Sequence, residues 1–156
     1  MGDHKNDCGR ERDERLIRSC QEDPSLLSTL TPQELGRLGE AIARSFLQQR
    51  GYALVCQGYR CPEGEADLVV VDVDSDETVL VEVKTRRLSA LGDTVYPELA
   101  VDERKRRRYA RIAACYVLEH FPVRSMRFDV IAVTLLPGFR AEIEHLYAAF
   151  EWDGDR

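Results

Sequence analysis

The stretch Asp67-Leu68-Val69-Val70-Val71-Asp72-Val73-Asp74-Ser75-Asp76-Glu77-Thr78-Val79-Leu80-Val81-Glu82-Val83-Lys84 decides the fold. Two β-rich runs flank the acidic turn Asp74-Ser75-Asp76, a pattern that predicts a hairpin. Its charges sit in unexpected places. Asp67 opens the first strand, while Glu82 and Lys84 interrupt the apolar end of the second. With a side-chain period of two, Glu82 and Lys84 share one face and Val81 and Val83 the other. Sheltered carboxylates and ammonium groups are costly unless they are paired or hold a cation. Two kinds of explanation fit the pattern: a structural Lys–Glu pair or charges at the edge of a small sheet, or a metal site.

Upstream of the hairpin, Leu30-Thr31-Pro32-Gln33-Glu34-Leu35 reads as a helix start. Thr31 suits the cap, Pro32 the first helical position and Glu34 the reciprocal acid of a capping box, with Leu30 and Leu35 as a hydrophobic staple. The helix is expected over residues 33–50, with Gly51 as its C-terminal cap and Leu35, Leu38, Ile42 and Phe46 inward. Glu40 falls on an adjoining face with the small residues Gly36 and Ala43, which permit a close approach; a plain surface carboxylate is the simpler alternative. Tyr52 to Cys61 reads as a strand and Cys61-Pro62-Glu63-Gly64 as the turn into the hairpin. Residues 1–30 are mostly polar and are expected to be mobile or loosely docked, with a short helix over Glu11 to Ser19 as the alternative.

Downstream, an irregular stretch containing Gly92 runs to Pro97, and a second helix is expected over residues 98–119. That helix carries Arg104-Lys105-Arg106-Arg107-Arg108. Arg104, Arg108 and Arg111 lie along one side, whereas Lys105 shares the sheet-facing side with Val101, Tyr109, Ile112 and Tyr116 and is expected to lean toward the hairpin. Arg127 to Thr134 reads as a strand, and Ala141 to Phe150 as an edge strand or a short helix. The predicted architecture is α/β, a mixed sheet of four or five strands flanked by helices, in a single domain over residues 31–152.

The formal net charge of −6 argues against a chain that coats polyanions wholesale, yet charge is unevenly spread. From Lys84 to Arg111 there are nine basic and four acidic residues, a local +5. Basic residues are 19 Arg to 3 Lys, and guanidinium is the donor suited to phosphate. Five cysteines (8, 20, 56, 61 and 115) form no familiar disulfide or zinc framework, which points to a reducing compartment. His4, His120 and His145 accompany no Ser or Cys nucleophile and are expected to be structural or exposed. No segment resembles a signal peptide or approaches the roughly 20 apolar residues of a membrane span, so a soluble, cytoplasmic protein is expected.

Asp67 and Glu82 are fourteen residues apart in the intervening sequence, close enough across a hairpin for their carboxylates to meet. Two such groups suit Mg²⁺ or Mn²⁺, with Glu40 and Glu65 as further candidates for a third carboxylate. A bound ion lowers the pKa of water and stabilises charge on a phosphoryl oxygen. Lys84 is placed to orient the attacking water or neutralise the phosphate, and Arg86, Arg87, Arg104, Lys105, Arg107, Arg108 and Arg111 to meet a nucleic-acid backbone.

Asp67 followed by Glu82-x-Lys84 resembles the signature of the PD-(D/E)xK nuclease superfamily, which includes restriction endonucleases and archaeal Holliday-junction resolvases. The wider set is similar to the YraN-like family of small bacterial proteins: Gly39-Glu40, Gly64-Glu65-Ala66-Asp67, Val81-Glu82-Val83-Lys84-Thr85-Arg86, Lys105 and Arg127-Phe128-Asp129. The resemblance covers about residues 33–150. It implies a restriction-endonuclease-like core, Asp67 and Glu82 as metal ligands, Lys84 as a catalytic residue and Glu40 as the helix acid that completes or supports the site. Ala66 departs from the superfamily's Pro and the family's usual Ile, a packing change that leaves the carboxylates intact. The implied activity is metal-dependent cleavage of structured DNA such as junctions or repair intermediates. The alternative is a non-catalytic or partner-activated nucleic-acid-binding protein. Related resolvases act as two-fold pairs, which implies a homodimer. Leu146, Tyr147, Phe150 and Trp152 are available either to a pairing surface or to the core.

Overall fold

The computed structural model describes residues 3–88 and 101–151, with side chains at 9–88 and 101–149. The expected loop through Gly92 and Pro97, the expected helix start at Glu98, and Trp152 lie outside these residues. Helix α1 (Asp3–Glu22) and a short 3₁₀ helix (Pro24–Thr29) precede α2 (Pro32–Gln49). There follow β1 (Tyr52–Cys61), β2 (Gly64–Asp72), β3 (Glu77–Arg87), α3 (Glu103–His120), β4 (Met126–Leu136) and β5 (Arg140–Glu151). The five strands form one mixed sheet in the order β1-β2-β3-β4-β5, flanked by helices, an α/β fold consistent with a restriction-endonuclease-like core.

The first three strands are antiparallel neighbours, β3 and β4 run parallel, and β5 returns antiparallel to β4. A parallel neighbour needs a crossover, and α3 lies within the β3–β4 connection. Central strands covered on both sides read as continuous apolar runs. The three inner strands follow this rule: Leu68, Val70, Val79, Val81, Ile131 and Val133 face the core shared with α1 and α2. Val69, Leu80, Phe128 and Val130 face the core shared with α3. The alternation expected for β4 is therefore present, with apolar burial on each face. Ala141 to Phe150 falls within the edge strand β5 and not in a helix.

Thr31 caps α2 as its sequence indicates, its hydroxyl accepting from Glu34 N at 3.2 Å. The inward stripe is turned slightly from expectation: Leu38, Ala43 and Leu47 are fully buried, whereas Leu35, Ile42 and Phe46 pack at its margin. The cap of α3 is Asp102, which accepts from Lys105 N at 2.9 Å. The N-terminal segment, read as mobile or loosely docked with a short helix over Glu11 to Ser19 as the alternative, forms the longer helix α1 and makes specific contacts. Cys20 is completely buried, Leu16 and Ile17 pack against the core, and the sheltered Asp13 carboxylate accepts from Arg37 of α2 at 3.1 Å. A largely polar helix is thus held by a narrow apolar stripe and one long-range ion pair. Among the described residues no helix is long and apolar enough to cross a membrane.

Candidate metal and nucleic-acid site

The β2–β3 pairing runs from Asp72↔Glu77 to Leu68↔Val81. Just past Leu68, Asp67 turns its carboxylate onto β3, where Oδ2 accepts from Val83 N at 2.7 Å. A side chain thus satisfies a strand N–H where the backbone ladder ends. Burial raises the pKa of Asp67 above the ordinary carboxylate value; the Val83 N–H and Lys84 oppose that rise, while Glu82 and Glu65 add to it.

Glu82 lies next to this point on β3, its side chain 16% exposed. Oε1 is paired with Lys84 Nζ at 3.1 Å and Arg108 at 3.4 Å, and Oε2 accepts from Tyr109 Oη at 2.5 Å. Burial pushes its pKa up, but the Tyr109 hydrogen bond and the Lys84 and Arg108 charges outweigh burial and hold it below the usual value. Tyr109 is itself fixed by stacking on Phe128, with ring centroids 4.0 Å apart and planes within 12°. The sequence-predicted pair of Glu82 and Lys84 is therefore present, joined by two residues of α3.

Glu40 reaches the site from α2. That approach depends on Gly39, where an added Cβ would overlap Thr85 Oγ1 of β3 and lie 2.7 Å from its Cβ. Close contact thus occurs at Gly39 and Thr85 rather than at Gly36, where a Cβ would meet nothing within 4 Å. Burial first, then the charge of Asp67, pushes the Glu40 pKa from 4.5 up to about 7, and a hydrogen bond from Gln57 partly offsets the rise. Gln57 is held in turn by Arg44, which donates to its Oε1 at 2.9 Å. Glu65 stands at the rim, 63% exposed and paired with Arg60 at 3.4 Å, but its charge is felt by both Glu40 and Asp67.

Electrostatic coupling therefore links Glu40 to Asp67, and Asp67 to Glu82, Glu65 and Lys84. Among the described residues, no group of three or more His, Cys, Asp and Glu side chains stands close enough together to hold a metal ion. The donor chemistry nevertheless suits a hard divalent cation. Glu40 and Asp67 are sheltered oxygen donors that repel one another, and both have raised pKa values that a nearby positive charge would lower.

The basic residues divide into distinct roles. Arg108 pairs with Glu82, Arg111 donates to Glu63 at 3.0 Å, and Arg107 pairs within α3 with Glu103 at 2.8 Å. Arg104 is exposed one turn before Arg108. Lys105 is half-buried on the sheet-facing side, and Arg108, from the neighbouring side, makes one of the ion pairs with Glu82. Arg86 shares the strand parity of Glu82 and Lys84, whereas Arg87 has the opposite parity. Arg87 donates instead to the carbonyls of Leu27 and Leu30, at 2.7 and 3.1 Å, and ties the 3₁₀ segment to the end of β3. Both bonds come from Nη1 and give Arg87 a structural role that its sequence reading did not include.

A family profile described as "Uncharacterised protein family UPF0102" matches residues 39–133, from Gly39, next to the helix acid Glu40, into strand β4. The chain belongs to the UPF0102 family. A UPF0102 protein of Pelobacter propionicus is 40% identical over 132 residues, covering 84% of this chain and 92% of the relative. One from Nocardia farcinica is 41% identical over 119 residues, covering 76% and 90%, and one from Moorella thermoacetica is 42% identical over 108 residues, covering 69% and 86%. The YraN-like resemblance seen in the motifs is the same family. In this UPF0102 chain the matched region holds Glu40, Asp67, Glu82, Lys84 and the arginines of α3.

Sequence reasoning did not find Gln57, Arg44 or Tyr109 as partners of the acidic residues. Gln57 carries no signal in a strand of mixed character. The stacking of Tyr109 on Phe128 joins elements nineteen positions apart, although the sheet-facing periodicity of α3 did mark Tyr109 as inward. The His145 side chain is also sheltered, its Nε2 donating to the Asp129 carboxylate at 2.8 Å, beside Arg127; this cluster braces β4 and β5.

Proposed function

We propose that this UPF0102 protein is a metal-dependent phosphodiester hydrolase acting on structured DNA. The observation that carries the reading is the placement of Asp67 and the Glu82–Lys84 pair at the point where β2 and β3 stop pairing, with the Glu40 helix brought against β3 at the Gly39–Thr85 contact. Asp67 and Glu82 would hold Mg²⁺ or Mn²⁺, with Glu40 as a third or supporting carboxylate and Glu65 at the rim. The ion supplies an activated water and relief of phosphoryl charge. Lys84 reaches a position from which its ammonium can orient water or meet phosphate oxygen, at the cost of its pair with Glu82. Arg104, Arg108 and Arg111 follow one side of α3, with Arg108 against Glu82, and would hold the backbone, with Arg86, Lys105 and Arg107 as further contacts.

A second reading draws on the saturated state of Glu82. Its oxygens are taken by Tyr109, Lys84 and Arg108, the arrangement expected of a site that binds nucleic acid but waits for a partner before releasing its carboxylate. One experiment separates the two. Labelled four-way junctions, flaps and single strands are incubated with the full chain and Mg²⁺ or Mn²⁺. Hydrolysis predicts cleavage lost by at least a hundredfold in E82A and in K84A. Salt-sensitive binding without cleavage would favour the second reading, and cleavage surviving both substitutions would overturn the first.

A further inference from the structure

Two contacts away from the acidic site join the β1–β2 turn to α3 in antiparallel register. Tyr59 Oη donates to Glu119 Oε2 at 3.1 Å, and Arg111 Nε donates to Glu63 Oε2 at 3.0 Å. Between these two contacts, on the same two rows of residues, stand Cys61 at the end of β1 and Cys115 on α3. The spacing explains the match. Tyr59 and Cys61 are one side-chain period apart on β1, roughly 6.7 Å, and Glu63 follows in the turn, while Glu119, Cys115 and Arg111 retreat four at a time, roughly 6.0 Å along α3. The two step lengths are close enough for three rungs to remain opposite one another. Packing holds the ladder in place: Tyr59 meets Tyr116 edge-on at 5.2 Å, and Gly64 leaves room for Ile112, whose Cδ1 would lie 2.9 Å from an added Cβ. Both cysteines are free and half-buried.

We propose that Cys61 and Cys115 form a reversible disulfide that fixes α3 to the β1–β2 turn when the surroundings become oxidising. α3 also presents Arg108 and Tyr109 to Glu82, so the bond would restrain the helix that neutralises this carboxylate. The inference does not depend on phosphodiester cleavage. With a small-molecule disulfide as oxidant, one cysteine thiolate attacks a sulfur, forms a mixed disulfide and releases a thiolate. The second cysteine thiolate attacks the protein sulfur of that mixed disulfide and releases the other small thiolate. Two cysteine thiols are oxidised, two small thiols are produced, and the two cysteine protons end on them. Partial burial, followed by the Cys61 thiol, raises the Cys115 pKa, so exchange is slow at neutral pH and quickens as pH rises. In a reducing compartment such a bond is transient, as redox-sensing disulfides are.

The test uses the full wild-type chain and oxidised glutathione at pH 8, followed by alkylation of remaining thiols and peptide mapping. A Cys61–Cys115 cross-linked peptide that dithiothreitol removes is the expected product, with hydrogen exchange over residues 109–116 slowed several-fold in the oxidised protein. C61S and C115S should each stop at a glutathione mixed disulfide on the remaining cysteine. Separate glutathionylation of both cysteines in the wild type would overturn the proposal, as would pairing of Cys61 with Cys56 or Cys8. Unchanged exchange in α3 after cross-linking would overturn the restraint on that helix. The mapping needs no substitution, so a variant that fails to fold does not spare the proposal.

Discussion

Glu40 is held where its own charge is costly, between the sheltered carboxylate of Asp67 and the side-chain amide of Gln57. Its folded pKa of about 7 lies above its ordinary 4.5, so the native protein favours the protonated form. The stabilising contribution is complete below about pH 4.5 and is lost as pH rises through about 7. E40Q removes this dependence while keeping the shape of the side chain. Chemical denaturation in the presence of a chelator should find the two proteins nearly equal at pH 5, with E40Q more stable by about 1–2 kcal/mol at pH 8, a magnitude reduced for solvent screening. Equal stability at both pH values would remove the electrostatic coupling between Glu40 and Asp67 from the account. The acidic residues themselves were legible because a carboxylate that interrupts an apolar strand is conspicuous. Their partners were not, since Gln57, Tyr109 and Arg108 become neighbours only through tertiary packing.

The elements meet at specific points that bring these residues together. Gly39 lets α2 approach β3 at Thr85, and an alanine there would overlap Thr85 Oγ1 and press on its Cβ at 2.7 Å. G39A should lose about 1–3 kcal/mol of stability as an overpacking change. The double variant G39A/T85G should recover part of that loss, beyond the sum of the single effects, because the two sites share one contact. Additive losses in thermal or urea unfolding would contradict the steric explanation. Arg87 gives a second test, because it donates to the Leu27 and Leu30 carbonyls. R87A should lower stability by about 1–3 kcal/mol without changing the salt slope of DNA binding, whereas R104A should lower that slope with little effect on stability. The reverse pattern would return Arg87 to the nucleic-acid surface. Capping residues made the start of α2 readable, and alternating apolar residues did the same for the strands. α1 was legible only as a short helix over Glu11 to Ser19 because its sequence is mostly polar, and Cys20 and the Asp13–Arg37 pair acquire meaning only against α2 and the sheet.

At the scale of the whole molecule, a sheet buried on both faces separates two helical layers, and the candidate site lies where residues of both layers reach β2 and β3. Glu40 comes from one side on α2, Tyr109 and Arg108 from the other on α3, and Asp67 stands at the end of the strand pairing between them. A homodimer is proposed from the family resemblance alone, and Leu146 and Tyr147, 38% and 54% exposed on edge strand β5, offer it an apolar surface. The central claim concerns the carboxylates, and a crystal soaked in Mn²⁺ at pH 8 tests it most directly through anomalous scattering. A manganese peak coordinated by Asp67 and Glu82, absent from a D67N crystal, is expected, with Lys84 Nζ withdrawn from Glu82 Oε1. Manganese held elsewhere, or none at saturating concentration while Glu82 keeps Lys84, Arg108 and Tyr109, would contradict it.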